Sequence, residues 1–331
     1  MTEYYIGKRT RASFAKEATY GTASVASTYG WLGVVETVTP SSKSDIIQIN
    51  AMDDSDTRDV SDYFETLRTY GFSVESLMQH ARLLYFAWGD DSLASGANEV
   101  HTITGANTLP SFTLQVGYNS TSPNAHVLNY AGCMINKLEI SCAKNEFVKC
   151  TTEVVAQTST STDTFKEYQG SNVVMKKYPS IGSGSILPYH YSHSDIEINN
   201  TSYCETDSIK MSINNNLLSE PVLCSDNSKR ISEPVPQLRE YEASATIRMK
   251  SDDLYDIWET GAYMTTDPVI TFARSATDKI EFTLHNAIME SAISPFKISE
   301  GIVLVEIPLK VTSISVEETN NLDVQYDAEE A

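Results

Sequence analysis

Apolar and polar residues alternate along stretch after stretch of this chain, and a period of two commits such segments to β-strands with one dry and one wet face. In the segment starting at Pro110, Phe112, Leu114, Val116 and Tyr118 share one face while Ser111, Thr113 and Gln115 share the other. A longer case sets Met134, Leu138, Ile140 and Cys142 against Lys137, Glu139 and Ser141. After the polar turn Lys144-Asn145-Glu146 the pattern resumes with Val148, Cys150, Thr152 and Val154, which predicts a long β-hairpin.

Helical spacing is rare. Leu77, Ala81, Leu84 and Trp88 fit an amphipathic helix of about three turns, with Gly89 as its cap. Ser251, Asp252 and Asp253 supply a capping residue and first-turn acids for a shorter helix through Leu254, Ile257 and Trp258, closed by Gly261. The expected class is mainly β with two short helices.

The two helices sit in similar surroundings, which points to an internal duplication. Tyr70 and Tyr241 open the strands before the helices, Trp88 and Trp258 fall late in them, and Phe112-Thr113-Leu114 recurs as Phe282-Thr283-Leu284. The strands from Asp45 and Asp207 are matched in the same order, and the final hairpins are aligned without a gap. The expected organisation is an N-terminal arm (1–29), a first β unit (30–157), a Ser/Thr/Gly-rich linker (158–189), a second β unit (190–318) and an acidic tail (319–331).

Charge narrows the partners. The 331 residues carry 24 Lys and Arg against 44 Asp and Glu, a formal charge of -20, so general attraction to nucleic acid phosphates is not expected. No run approaches the eighteen apolar residues of a membrane-spanning helix, and the first thirty residues lack the apolar centre of a secretion signal; no membrane partner is expected, and the chain is read as made inside a cell. Cys133, Cys142, Cys150, Cys204 and Cys224 are odd in number and form no CxxC pair, so they are read as reduced packing residues.

Candidate chemistry is thin. His190 and His193 would lie on opposite faces of a strand, which is wrong for one metal ion. Asp53, Asp54, Asp56 and Asp59 resemble the start of a calcium loop without its turn glycine or closing Glu. No G-x-S-x-G elbow and no phosphate-cradling glycine loop occur, and Gly182 to Ser185 reads as a linker fragment. Neither an enzyme nor a cofactor is expected.

Three stretches carry a resemblance: the segment Lys16 to Thr22 (KEATYGT), Leu109 to Leu114, and the hairpin from Ala131 to Ala156. Together they resemble the major tail tube proteins of long-tailed bacterial and archaeal viruses. The resemblance implies β-sandwich units whose inner sheets join between subunits into a tube, in stacked rings around a lumen that conducts the genome. Two fused units per chain imply trimeric rings with pseudo-sixfold symmetry, with hexameric rings as the alternative. It also implies tape measure, terminator and baseplate proteins as partners, DNA passing without specific binding, and a place in the virion tail after assembly in the host cytoplasm.

Under that reading, the polar strand faces supply candidate lumen-lining residues: Glu75, Lys137, Glu139, Lys149, Thr151 and Glu153 in the first unit, and Glu242, Thr246, Glu306 and Lys310 in the second. Basic residues Lys8, Arg9, Arg11 and Lys16 complement the acidic loop Asp53, Asp54, Asp56 and Asp59, and arm and loop are expected to meet between stacked rings. Two other readings stay open: another virion ring protein, such as a tail terminator or baseplate hub, or a β-rich carbohydrate-binding or hydrolytic protein.

Overall fold

A computed structural model describes residues 11–25, 29–50, 60, 62–94, 99–118, 126–165, 187–203, 205–222, 230–248, 258–259, 261–290, 297–299 and 302–320. In chain order the first half contains β1 (Arg11–Lys16), β2 (Gly30–Trp31), β3 (Val34–Pro40), β4 (Lys43–Ile49), β5 (Asp62–Leu77), the helix α1 (Arg82–Trp88), β6 (Gly89–Ala94), β7 (Glu99–Gly105), β8 (Phe112–Tyr118), β9 (His126–Ala143), β10 (Lys149–Ala156) and β11 (Thr158–Thr162). After a 3-10 turn at Tyr191–His193 come β12 (Ser194–Ile198), β13 (Thr201–Ser202), β14 (Thr206–Asn214), β15 (Glu240–Arg248), β16 (Val269–Ser275), β17 (Asp278–His285), β18 (Ile288–Met289), β19 (Lys297–Ser299), β20 (Ile302–Lys310) and β21 (Ser313–Asn320). Every strand pair is antiparallel.

These strands form two sheets. The larger follows the path β18-β20-β15-β14-β9-β10-β5-β3, and the smaller the order β13-β12-β16-β17-β21-β7-β6. Both sheets mix strands from the two halves of the chain. The expected hairpin is present as β9 and β10, with Thr151 opposite Glu139. Its alternation decides its packing: Leu138, Ile140, Cys142, Cys150 and Val154 are buried, and Lys137, Glu139, Lys149 and Glu153 are not.

The first helix is shorter than its spacing suggests. Ser76 and Leu77 complete β5, and only Arg82–Trp88 is helical, capped as expected by Gly89 in the left-handed region at φ 107°. All seven of its residues are buried, so it is a core element rather than an amphipathic surface helix. Phe86 packs edge-on to Phe14 and Phe112, and the Trp88 indole N–H donates to the Ile314 carbonyl at 2.6 Å, tying the helix to β21. Of the second expected helix, Trp258 and Glu259 are helical and Gly261 sits at φ 59°; residues 251–257 lie outside the described residues.

The segment expected as an arm contains a core strand. Phe14 and Ala15 are fully buried in β1, which pairs with β8 from Arg11 opposite Gly117 to Lys16 opposite Phe112. Cys133, Cys142 and Cys150 are free and buried, while Cys204 and Cys224 lie outside the described residues. Burial pushes the Cys150 thiol up to about 12, consistent with an inert packing residue.

Pairing registers recur between the halves. Leu77 opposite Lys149 in β5 and β10 has its counterpart in Arg248 opposite Leu304 in β15 and β20. A bulge at Glu36 between β3 and β5 is matched by one at Asp207 between β14 and β15. Ser13 stands between Trp31 and Gln115, as Glu197 stands between Ser202 and Val269. Ala131 opposite Thr158 corresponds to His285 opposite Ser313, followed by a left-handed residue in each case, Gly132 at φ 67° and Asn286 at φ 50°.

By register, the counterpart of β14 in the first half is β3, not the strand from Asp45. Likewise β8 corresponds to β16, and the first part of β9 to β17, so Phe112-Thr113-Leu114 and Phe282-Thr283-Leu284 are not equivalent positions. Short strands with alternating residues look alike in sequence; long-range pairing is what distinguishes them. The hairpins also differ by one residue: Ser141 opposite Lys149 corresponds to Lys297 opposite Leu304.

Candidate functional site

The polar face of the larger sheet gathers all ten residues expected to line a lumen. Residues directly opposite in antiparallel strands point to the same side, so a row can be followed across the sheet. Glu75, Thr151, Glu139, Ser212, Glu242 and Lys310 stand side by side on β5, β10, β9, β14, β15 and β20. A neighbouring row holds Ser73, Glu153, Lys137 and Asn214, and another holds Lys149, Ser141, Lys210 and Ser244. Thr246 stands between Ser208 and Glu306. The opposite side carries Val74, Leu138, Ile140, Met211, Ala243, Ile307 and Leu309, all in the core.

Acids and lysines are interleaved on this face. Lys149 lies 3.6 Å from Glu75 and 3.7 Å from Glu36; Lys210 lies 3.1 Å from Glu139. Lys310 bonds to Glu242 and lies 3.9 Å from Glu290. Glu36 and then Glu75 hold the Lys149 ammonium above its usual pKa, and the bond to Glu242 does the same for Lys310. In return that bond lowers the Glu242 carboxyl below the usual glutamate value. These pairs are solvent-exposed, so they order the face rather than stabilise the fold. The three lysines are committed to carboxylates.

Lys210, Ser212 and Glu36 belong to this face although the sequence reading passed over them. The alternation Ser208, Lys210, Ser212 in β14 carries the same signal as the strands that were recognised. Glu36 escapes it, because the bulge interrupts the period of two.

Of the residues expected between rings, Lys8, Arg9, Asp53, Asp54, Asp56 and Asp59 lie outside the described residues. Arg11 and Lys16 are on β1, with the Lys16 ammonium 5.7 Å from the centre of the Tyr85 ring. The acidic loop joins β4 to β5. Every residue of β4 is exposed, and among the described residues β4 pairs only with the first part of β5, so this ribbon leaves the body of the sheet with Ile46, Ile47 and Tyr63 exposed to solvent. Uncovered apolar side chains on a two-stranded ribbon are the composition of a contact surface.

Among the described residues no group of three or more His, Cys, Asp or Glu side chains is placed to hold a metal ion. His193 ends the 3-10 turn and His190 caps its start, where the His190 ring accepts from the Ser192 N–H and the His193 ring from the His190 N–H.

A second polar cluster is structural. Glu17, 5% exposed, accepts from the Ser111 and Thr113 hydroxyls at 2.8 Å each, from Gly132 N–H at 2.9 Å and from Gly21 N–H at 3.1 Å. It fastens the KEATYGT segment to β8 at Thr113 and to β9 at Gly132.

Among curated proteins, none matches the chain. A family model described as phage tail tube protein matches residues 7–301, nearly the whole length, and fits a mainly β chain of two antiparallel sheets with one polar sheet face. The chain belongs to the phage tail tube protein family.

Proposed function

We propose that this tail tube protein forms rings whose larger sheets line a lumen, and that stacked rings conduct the genome during ejection. The observation that carries the proposal is the continuous polar face on strands from both halves, backed by one buried core. A face of this breadth that is wet on one side suits a channel wall, and the sheet still has edges for neighbours to complete. The structural role in the tail follows from family membership; the channel, the rings and passage of DNA are the proposal.

The recurring registers support two copies of one unit per chain. On this reading the units run from about residue 11 to 162 and from about 194 to 320, with β1 inside the first unit. Two units per chain favour a ring of three chains with sixfold pseudo-symmetry over a ring of six. For stacking, the acidic loop at the end of the exposed ribbon meets the basic N-terminal segment of the next ring, opposite charges fixing the register. Truncation to test that contact must stop at residue 10, since removing residues 1–20 would also delete β1 and Glu17. Tape measure, terminator and baseplate proteins are the partners at the tube's interior and ends.

Carboxylates on the lumen face, with Lys149, Lys210 and Lys310 held in ion pairs, keep duplex DNA sliding rather than bound. Assembled tubes are therefore expected to show no measurable retention of duplex DNA at ionic strength about 0.15 M. The triple substitution Glu75→Lys, Glu139→Lys and Glu153→Lys should convert them to salt-sensitive DNA binders in a co-sedimentation assay. Tight binding by the unaltered tubes, or no gain in the triple variant, would contradict a repelling wall.

A further inference from the structure

We infer that rings close by pairing β3 of one chain with β19 of the next, Thr37 opposite Ser299, Val38 opposite Ile298 and Thr39 opposite Lys297. This rests on the ring reading above and adds to it the edges and the register.

The larger sheet contains its own template for the contact. Its two halves join where β9 pairs with β14, from Ser208 opposite Ala143 to Asn214 opposite Lys137. By the matched pairings, β14 occupies in the second half the place of β3 in the first: Ser208, Ile209 and Lys210 correspond to Thr37, Val38 and Thr39. The hairpin registers likewise make Lys297, Ile298 and Ser299 the counterparts of Ser141, Cys142 and Ala143. Among the described residues β3 pairs only with β5, and β19 only with β20, so each has one side unpaired at opposite ends of the sheet path. Applying the internal junction, Ser208 with Ala143 and Lys210 with Ser141, gives the stated pairs.

Chemistry agrees with that register and with no neighbouring one. Ile209 and Cys142 face each other within the core at the internal junction, and the inferred contact sets Val38, packed against the core, opposite Ile298. Thr37 and Thr39 share the polar side with Glu75 and Ser73, as Ser208 and Lys210 share it with Thr246 and Ser244 at the internal junction. A slip of one residue would bring apolar residues against polar ones along the whole contact. At the junction's end the Lys144 N–H donates to the Asp207 carbonyl at 2.9 Å. Asp207 is the bulge residue matched by Glu36, so both joints end at a bulge, where the strand turns away and pairing stops.

Paired cysteines test the register. Directly opposite residues have Cβ atoms about 4.5–5.5 Å apart, within reach of a disulfide after small adjustment. A chain carrying Thr37→Cys with Ser299→Cys, assembled and mildly oxidised, should run on non-reducing gels as a ladder of covalent oligomers that reduction collapses. Each single variant, and Thr37→Cys with Ile298→Cys, whose side chains would point to opposite faces, should remain monomeric on the same gels. Tubes visible by microscopy with no ladder, or with a ladder from the slipped pair, overturn this contact and leave the tube role standing. No self-association of the unaltered chain at any concentration overturns the ring reading, and this contact with it.

Discussion

Glu17→Ala is expected to lower the unfolding free energy by about 3–5 kcal/mol, the largest single effect among the polar residues of the first half. Four donors converge on this carboxylate, and it is nearly sealed from water. Ser111 and Thr113 can turn their hydroxyls elsewhere, but the Gly132 and Gly21 N–H groups cannot; the first would be left buried without an acceptor and the second part-buried. Glu17→Gln should not restore stability. One carboxylate oxygen serves Gly132 and the other Gly21, so the amide NH2 would face a backbone donor in either orientation. Urea unfolding followed by tryptophan fluorescence measures both variants; a loss below about 1 kcal/mol in each would show that Glu17 is not the fastener described.

Asn215 joins the two halves from the other side. Fully buried, it donates through Nδ2 to the carbonyls of Ala87 at 3.1 Å and Ile135 at 3.0 Å, and its Oδ1 accepts from Arg239 Nε at 2.8 Å. Arg239 then donates to the Ala106 carbonyl at 2.8 Å. One amide thus links the end of α1, strand β9 and the segment before β15. Asn215→Ala should cost about 2–4 kcal/mol, and Asn215→Asp at least as much, because a second oxygen would confront two carbonyls even as it pairs with Arg239. Equal stability of the Asp variant and the unaltered protein would contradict the assigned orientation of the amide.

Much of this arrangement was legible in the residues. Period-two alternation located the hairpin of β9 and β10 and put Glu139, Thr151 and their neighbours on one face, since a strand offers only two sides and the apolar one must be buried. Gly89 ended the helix where its left-handed cap is needed. The first half of that predicted helix failed because Ser76 and Leu77 continue β5, where Ser76 pairs with Cys150; tertiary pairing overrode a helical spacing of four residues. β1 was hidden because six residues among charged neighbours carry little pattern, and its burial depends on β8, about a hundred residues away. Glu17 and Asn215 left no local mark at all: a polar residue reads as exposed until distant donors and acceptors gather around it.

The reading of two copies per chain shows the same division. A duplication was suggested by ordered elements, yet the matched Phe-Thr-Leu triplets misaligned it, because an alternating strand resembles every other one. Bulges and left-handed turns, at Glu36 with Asp207 and at Gly132 with Asn286, give the alignment that the side chains did not. It is this alignment that turns an internal sheet joint into a template for a joint between chains.

An averaged cross-section of the assembled particle by electron cryo-microscopy tests the central claim most directly. The expected image is an unbroken inner wall of β-strands with six similar units contributed by three chains, polar rows facing the hollow and β3 abutting β19 at each chain boundary. Separate sheets divided by gaps at the chain boundaries, or the buried side of the larger sheet turned toward the axis, would contradict it.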